Sequence, residues 1–412
     1  MSTSAAPWYR SISGPQWRTL IAAQSGWMLD AMDVMLYAFA LSAIQQEFGL
    51  TSAVSGALVS VTLLSSALGG GLAGVLADRY GRRAVLIGSI LTYSLFTGAV
   101  ATAGSVPELV LWRTLVGLGL GAEWSAGSVL VAESWPAEHR GKAIGFMQSG
   151  WALGYIAAAL LAASILPAYG WRPLFALGIL PALLTLWIRR NVPESEIWAR
   201  QAKEPRRVAS TLIALMKSGL RRTTLAASAL SASLLFAYWG LFTWIPTFLA
   251  APSGQGGAGL GLVKSTGWVV PMQIGAFFGY ISFGLLADRA GRRPVFLFFV
   301  LGAAVLVPIY GLLARQPLVL FLLSPLIGFF GHGYFSVFGA MLAELFPSAV
   351  RATAQGICYN AGRALSALAP ATIGYVADRS GLGSALALTS AFFLLAAALM
   401  LALPETRGTD LT

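Results

Sequence analysis

Residues Gly74–Arg83 read GVLADRYGRR, and nearly the same text returns 210 residues later at Gly284–Arg293 as GLLADRAGRR. Each copy joins two apolar runs through a short connector with four charges in six residues. Two further signals repeat at an offset of 211: ESWPAEHR and ELFPSAVR, which begin at Glu133 and Glu344, and the pair Pro193-Glu194-Ser195 and Pro404-Glu405-Thr406. Three motifs that recur in the same order indicate one unit used twice.

The composition indicates a membrane protein rather than a soluble or nucleic-acid-binding one. Hydrophobic residues make up 57% of the chain and charged residues 10%, whereas about a quarter of a soluble domain is charged. The net charge of +11 lies in short connectors between apolar runs and not on one face, which argues against a nucleic-acid partner. The single cysteine, Cys358, lies in an apolar run, so no disulfide framework or Cys-based metal site is available. No other metal site and no cofactor are expected.

A helix that spans a bilayer needs roughly 20 apolar residues, and twelve stretches qualify. We number them as spans 1 to 12: 18–44, 54–77, 84–104, 108–133, 142–163, 171–189, 223–250, 263–287, 294–314, 317–345, 352–377 and 382–402. The first of them is too long for a signal peptide, and no cleavage site follows it. We therefore predict an all-α membrane protein with twelve transmembrane helices in two pseudo-symmetric six-helix bundles.

The polar segments divide the chain and predict its orientation. The expected divisions are an N-terminal tail, an N-terminal bundle, a linker, a C-terminal bundle and a C-terminal tail, at 1–17, 18–189, 190–222, 223–402 and 403–412. The tails, the linker and one set of connectors carry roughly five times as many Lys and Arg residues as the opposite connectors, so both termini should be cytoplasmic. The opposite set holds only Arg172, Lys264, Arg315 and Arg379.

The informative side chains are the ionisable ones inside spans, because burying a charge in lipid is costly. Asp30 and Asp33 lie in span 1, Arg113 and Glu123 lie in span 4, and Arg363 lies in span 11. Three acids and two bases leave one negative charge, so one bound proton would make the set neutral. This balance is consistent with proton uptake that accompanies an anion.

The three acids are candidates for proton coupling. Asp30 and Asp33 are three residues apart and share one helix face. Two carboxylates this close in a low-dielectric site do not both ionise easily, so one of them should hold a proton. Asp33 either forms a permanent salt bridge with Arg113 or takes part in proton coupling. Glu123 lies ~15 Å deeper than Arg113 along span 4, and it is either a proton site or a neutral, hydrogen-bonded core residue.

Arg363 has no acidic partner inside a span of its own half, so its charge should face the first half or a ligand. A guanidinium fork suits a carboxylate, and Arg363 is expected either to bind a substrate carboxylate or to form a structural ion pair. Other mid-span side chains are candidates for a cavity lining, with helix packing as the alternative: Tyr37, Tyr155, Phe236, Tyr238, Trp239, Gln273, Tyr334, Phe338, Tyr359 and Asn360. His332 is a weaker candidate, as a proton relay.

Acids and arginines recur at the cytoplasmic ends of the spans, at matching positions in the two halves. Opposite charges there can pair when the halves meet and separate when they part, as a gate requires. The alternative is that they are topology signals and solvated charges. The set consists of Asp78, Arg82, Arg83, Glu133, Arg140, Glu194, Asp288, Arg292, Arg293, Glu344, Arg351 and Glu405.

With these motifs in place, the chain resembles the major facilitator superfamily over essentially its whole length. The motif GxLADRxGRR, the ExxPxxxR loops and the PES and PET ends are similar to motifs of the metabolite:proton symporter branch of this superfamily. Span 4 with its connector, GLGAEWSAGSVLVAESWPAEHRGKA, resembles sialate and lactate:proton symporters, and so does the stretch IRRNVPESEIW. LDAMDV in span 1 also resembles nicotinate and aromatic-acid carriers and, more distantly, animal organic-ion carriers.

The resemblance implies roles for particular residues. Asp33 falls on the span 1 acid that pairs with the span 4 arginine, here Arg113, and this pair is the expected proton-coupling element. Asp78 and Asp288 fall on the acids of the gate. Sugar porters share the PES and PET ends, but their glutamine-rich span 7 is replaced here by LLFAYWGLFTWIP, which favours a small, partly apolar organic acid over a hexose.

The resulting hypothesis is a monomeric, lipid-embedded transporter of the cell inner membrane that takes up an organic acid with a proton by alternating access. Lactate-like, sialate-like and nicotinate- or benzoate-like acids remain open as substrates. The alternative is a proton-antiporting exporter of drugs or organic cations, which three buried acids would suit and Arg363 would not. A membrane sensor should carry an extra signalling domain, for which the tails are too short. An enzyme should show a nucleophile–base pair or a metal cluster, and the sequence shows neither, so neither class is expected.

Overall fold

The computed structural model describes residues 12–196, 199, 218–347 and 351–406, and within these ranges the chain is helical and has no strand. The helices of the first half are α1 (Gly14–Phe48), α2 (Ser52–Tyr80), α3 (Arg82–Val100), α4 (Val106–Ser134), α5 (Ala137–Tyr169), α6 (Trp171–Ala176) and α7 (Ala182–Asn191). Those of the second half are α8 (Ser218–Phe242), α9 (Ile245–Ala250), α10 (Gly261–Ala290), α11 (Arg292–Leu312), α12 (Pro317–His332), α13 (Phe335–Glu344), α14 (Arg351–Ser366), α15 (Leu368–Ser380), α16 (Leu382–Ala387) and α17 (Thr389–Leu401).

These helices match the twelve spans, and the prediction of an all-α membrane protein is confirmed. Helices α1 to α5 are spans 1 to 5, α10 and α11 are spans 8 and 9, and each remaining span consists of two helices. Ten spans are long and apolar enough to cross a bilayer. In span 10 the apolar helix Pro317–His332 has 16 residues, and span 11 divides into two helices at Ala367.

The two copies of the opening motif form the same turn. Gly81 and Gly291 have φ angles of 98° and 101°, a region that side chains with a Cβ rarely adopt. Each glycine ends one span through a bond to the carbonyl four residues earlier and begins the next span at once. A Cβ on Gly81 would also overlap the Glu194 carboxylate. The sharp turn therefore explains why both copies require glycine.

The packing of the spans repeats between the halves. Span 1 packs on span 5, span 2 on span 4 and span 3 on span 6, and the second half pairs span 7 with 11, span 8 with 10 and span 9 with 12. The two halves meet through span 2 on span 11 and through span 8 on span 5. Such an arrangement encloses a space between two matching bundles, as expected for a transporter built from repeats.

The halves are joined on the side where span 2 begins and span 11 ends, which we name the far side; the opposite side, where span 1 begins and span 12 ends, is the terminal side. The Asp378 carboxylate accepts hydrogen bonds from the backbone N–H groups of Ser52 at 3.1 Å and Ala53 at 3.0 Å. Asp378 therefore caps span 2 from the opposite half. A Cβ on Gly56 would overlap the Pro370 carbonyl group, so the backbones touch here and the far side is closed.

Candidate functional site

Three ionisable residues of the spans, Asp30, Arg113 and Arg363, line one small cavity between the two halves. Spans 1, 2, 4 and 5 of the first half and spans 7 and 11 of the second contribute to its lining. Its polar lining residues are Asp30, Thr62, Ser66, Arg113 and Arg363. Asp33 lies behind this lining and is 1% exposed, as is Arg113, while Arg363 is 5% exposed. None of these charges faces lipid.

Three buried acids cluster at this cavity. Asp30, Asp33 and Glu123 are each 1% exposed. Asp30 is close enough to both Asp33 and Glu123 for their charges to interact, and the guanidinium group of Arg363 acts on it from the opposite half. Asp30 thus lies at the centre of the cluster, and its counter-charge comes across the interface between the halves.

Asp33 and Arg113 lie near each other without a direct pair. Their charges interact, yet the side chain that acts on the Asp33 carboxylate as a hydrogen-bond donor is Thr97. Arg113 instead donates from Nε to Thr62 Oγ1 at 3.0 Å, and its guanidinium carbon lies 4.3 Å from the centre of the Tyr37 ring. The Nη1 group of Arg113 is buried without a partner in the described structure. The structure therefore shows no permanent salt bridge between Asp33 and Arg113.

Arg363 faces both the first half and the cavity. Its guanidinium carbon lies 6.0 Å from the centre of the Tyr359 ring. Tyr359 in turn stacks on Trp124 of span 4, with ring centres 4.6 Å apart and planes 18° apart. The Arg363 Nε group is buried and has no partner in the part of the chain described. Span 11 thus presents a guanidinium group that retains a free donor for a ligand.

Two of the tyrosines predicted for the lining are engaged in helix packing. The Tyr155 hydroxyl donates to the carbonyl oxygen of Phe242 at 3.1 Å. The Tyr238 hydroxyl lies 3.3 Å from Nε2 of His332, whose Nδ1 lies 3.2 Å from the carbonyl oxygen of Gly328. These contacts favour the packing alternative for both tyrosines and for His332.

Gln273 and Tyr334 are fully buried, and both amide atoms of Gln273 and the Tyr334 hydroxyl lack partners among the described residues. Buried polar groups of this kind are usually satisfied by water or a ligand. Asn360 donates from Nδ2 to the carbonyl oxygen of Gly356 at 3.0 Å within its own helix. The lining of the central cavity includes Arg363 and leaves out Gln273, Tyr334 and Asn360.

Two tryptophans form an aromatic wall of the cavity. Trp151 of span 5 and Trp239 of span 7 have ring centres 5.9 Å apart and planes at 83°. Both Nε1 groups are buried; that of Trp151 faces the Tyr238 hydroxyl, and that of Trp239 has no partner among the described residues. Trp239 is among the side chains predicted for the lining. Nothing in the sequence distinguishes Trp151 from a tryptophan at the membrane interface.

Tyr93 of span 3 is a member of the acid cluster that the sequence analysis missed. Its side chain is fully buried, its hydroxyl has no described partner, and the charges of Glu123, Asp30 and Asp33 act on it. Span 3 approaches this closely because Gly119 of span 4 has no side chain, and a Cβ there would lie 2.7 Å from the Tyr93 nitrogen. No feature of the sequence marks this tyrosine, because its position depends on which face of span 3 meets span 4.

Gly26 of span 1 makes room for the Glu123 carboxylate, because a Cβ at this position would overlap Glu123 Oε1. We expect Gly26→Ala to move that carboxylate and to lower proton-driven accumulation of substrate about tenfold, which corresponds to ~1.4 kcal/mol. Accumulation in proteoliposomes under an imposed pH gradient measures this. The matched control is Gly88→Ala, because a Cβ at Gly88 meets nothing within 4 Å. Equal accumulation by the two variants would show that the position of Glu123 does not matter.

The charged residues at the terminal side of the first half form one network. Glu194 accepts hydrogen bonds from the backbone N–H groups of Arg82 at 2.9 Å and Arg83 at 3.1 Å, so it caps span 3. Arg82 Nη2 lies 3.2 Å from Glu133 Oε1, and the Ser195 hydroxyl donates to the same carboxylate group.

The second half repeats this network. Glu405 accepts from the backbone N–H groups of Arg292 at 2.8 Å and Arg293 at 3.0 Å, so it caps span 9. Arg292 Nη2 lies 3.5 Å from Glu344 Oε1, and Glu344 accepts from the Thr406 hydroxyl. All these described pairs lie within one half, so separation of the halves does not break them. The side chains of Asp78, Arg140, Asp288 and Arg351 lie outside the described part.

Comparison with known proteins agrees with this architecture. The family model described as Major Facilitator Superfamily matches residues 25–282 and 263–411. The inward-open structure of the xylose transporter XylE from E. coli superposes with a TM-score of 0.76 at 22% identity, covering 96% of this chain and 98% of that one. At this identity the likeness shows the fold alone.

Two bacterial relatives are more similar in sequence. The chain is 38% identical to the probable 4-methylmuconolactone transporter of Cupriavidus pinatubonensis over 97% of this chain and 93% of the relative. It is 33% identical to the cis,cis-muconate transport protein of Acinetobacter baylyi over 86% of each. With a duplicated helical fold, an enclosed polar cavity and relatives that transport organic acids, this chain belongs to the major facilitator superfamily of membrane transporters.

Proposed function

We propose that this protein takes up a small organic anion together with a proton across the cell membrane, with both chain ends in the cytoplasm. The observation that carries the proposal is the meeting of Arg363 and Asp30 in one enclosed cavity between the halves. Arg363 keeps a donor without a described partner for a carboxylate, and Asp30 lies among other buried acids that can share a proton. The relative that transports cis,cis-muconate supports an organic acid as the substrate.

The charge of the site couples binding of the proton to binding of the organic anion. The cavity region holds Asp30, Asp33 and Glu123 against Arg113 and Arg363, so it carries one excess negative charge when all five are ionised. An incoming anion increases that excess in a buried site, where unbalanced charge is expensive. One proton on the acid cluster offsets the charge of the cluster, and Arg363 then faces the anion. Binding of the anion and of the proton should therefore favour each other.

The closed far side fits one state of an alternating-access cycle. Asp378 and the Gly56 contact hold spans 2 and 11 together on that side, which we place outside the cell because the basic connectors lie on the terminal side. Release of these contacts would open the cavity outward. The terminal-side networks within each half would then keep each bundle rigid while the halves rock against each other.

The direction of coupling is tested by uptake of a radiolabelled carboxylate into proteoliposomes. An acidic exterior should accelerate uptake and drive accumulation above equilibrium, because the proton and the anion move inward together. Protein-free liposomes correct for diffusion of the undissociated acid. An exporter that exchanges its substrate for protons would be inhibited by the same gradient, so slower uptake with an acidic exterior would support the alternative and refute the proposal.

Asp33→Asn tests the proton-coupling role separately. Asn has the shape of Asp and keeps an oxygen that can accept from the neighbouring Thr97 hydroxyl, so the variant should fold and exchange substrate by counterflow. We expect accumulation driven by a pH gradient to fall about tenfold or more, a coupling of at least ~1.4 kcal/mol. Glu47→Gln is the matched control in the same span, because Glu47 is paired with Arg172 at the far-side end. Unchanged proton-driven accumulation in Asp33→Asn would remove Asp33 from the mechanism.

A further inference from the structure

Two arginines that line the central cavity each have a buried guanidinium N–H group without a described hydrogen-bond partner. Arg363 Nε and Arg113 Nη1 are both buried and lack partners among the described residues, and both arginines line the same cavity. Arg113 is held in place by Thr62 through Nε and by the Tyr37 ring, so its remaining face is fixed in position. A buried guanidinium group with a free donor needs a ligand acceptor or water to satisfy it.

The two guanidinium groups lie beside different acids of span 1. The charge of Arg363 acts on Asp30, and that of Arg113 acts on Asp33. The two acids are separated by ~4.5 Å of rise along the helix, at 1.5 Å per residue. The arginines come from opposite halves of the protein, in spans 11 and 4. The cavity is therefore lined by two cationic groups, one from each half of the protein.

The surface between the two cationic groups is apolar. Trp151 and Trp239 provide perpendicular aromatic faces, and Val34, Val59 and Leu120 complete the lining around them. Aromatic faces favour flat, unsaturated ligands. The Trp239 Nε1 group, which lacks a described partner, can donate to an oxygen atom near the edge of such a ligand.

We propose, building on the proposed function, that the substrate is a flat unsaturated or aromatic acid with a second oxygen acceptor at the end opposite its carboxylate. Arg363 binds the carboxylate, and Arg113 binds the second group, which is a carboxylate, an ester or a lactone carbonyl. Arg113 is thus a specificity-determining residue for the length and the far end of the substrate.

The test compares two acids that differ only at one end. Titration calorimetry on the purified full-length protein measures Kd for 2,4-hexadienoate, which ends in a methyl group, and for 2,4-hexadienedioate, which ends in a second carboxylate. The monomethyl ester of the diacid is the third ligand, because its carbonyl can accept a hydrogen bond without a charge. We expect the diacid and its monoester to bind at least about tenfold more tightly than the monoacid.

Arg113→Gln should reduce this preference to a ratio near one, whereas Arg172→Gln, which removes an exposed arginine at the far side, should retain it. The ratio of Kd values within one variant is the readout, and melting temperature checks that each variant is folded. If the wild-type protein binds the monoacid as tightly as the other two, the second site is refuted even if Arg113→Gln does not fold, while the proposed function stands. If the wild-type protein binds none of these acids and no other carboxylate, the proposed function fails.

Discussion

Replacing Arg363 with Gln is expected to reduce substrate affinity at least about 30-fold, because removing one partner of a buried, hydrogen-bonded charge pair typically costs ~2–5 kcal/mol. Arg363 is the guanidinium group that span 11 presents to the cavity, and a neutral amide cannot replace its charge or its fork of donors. The measurement is Kd of a carboxylate by titration calorimetry, together with counterflow in proteoliposomes. Arg172→Gln is the control, because that arginine is at the far-side surface.

The double variant Asp30→Asn/Arg363→Gln separates binding from structure. Removing Arg363 alone leaves the buried Asp30 carboxylate without its counter-charge, so part of the loss could be structural. If Arg363 serves only as an ion-pair partner, the double variant should regain both thermal stability and substrate binding. If Arg363 binds the substrate carboxylate, the double variant should regain stability and remain unable to bind. Recovery of binding would contradict the role proposed for Arg363.

Gly56→Ala is expected to prevent closure of the far side and to abolish net transport. A Cβ at this position would overlap the Pro370 carbonyl group of the opposite half and would lie 2.9 Å from Ala371 Cα. Overpacking of this kind costs ~1–3 kcal/mol, which is enough to shift a balanced equilibrium between closed and open states by about 5- to 150-fold. The open state should still bind substrate from outside, because none of the cavity-lining residues changes.

Counterflow and external binding measure the two effects in the same proteoliposomes. Gly71→Ala is the control in the same span, because a Cβ at Gly71 meets nothing within 4 Å. Asp378→Asn should act in the same direction with a smaller effect, because it weakens the cap on span 2 and introduces no overlap. Wild-type exchange by Gly56→Ala would show that the contact between spans 2 and 11 does not control access to the cavity.

The repeat and the hydropathy pattern were sufficient to predict the fold. Two copies of a charged connector at a fixed offset indicate two matching halves, and the apolar runs between connectors have the length of membrane helices. The interruptions in spans 10 and 11 were not predicted, because a break such as that after His332 does not interrupt the apolar run. Hydropathy indicates whether a segment lies in lipid or in water, but it does not show where a helix is interrupted.

The ionic residues of the site were also predictable, because charge inside an apolar span is rare and costly. Arg363 and Asp30 could therefore be named without knowing which helices touch. Tyr93 and Trp151 could not, because apolar and aromatic side chains are common on every face of a buried helix. Their part in the site depends on the rotation of each span, which is fixed by close contacts such as the one at Gly119.

The pairing of the charged residues at the terminal side was harder to predict from the sequence than their depth. Acids and arginines at repeated positions were expected to pair between the halves, and the described pairs, such as Arg82 with Glu133, lie within one half. Sequence spacing places such residues at the same depth and does not tell which neighbour each one faces. The duplication of Glu194 and Glu405 instead reflects the capping of spans 3 and 9 in each repeat.

The central claim is that a proton and an organic acid cross together, and the most direct measurement follows both in one preparation. Proteoliposomes with a trapped pH indicator and a clamped membrane potential receive 2,4-hexadienedioate outside. The account predicts acidification of the lumen at a constant ratio to labelled substrate uptake, with both fluxes lost in Arg363→Gln. Substrate uptake without acidification beyond that of protein-free liposomes, or acidification that persists in Arg363→Gln, would contradict it.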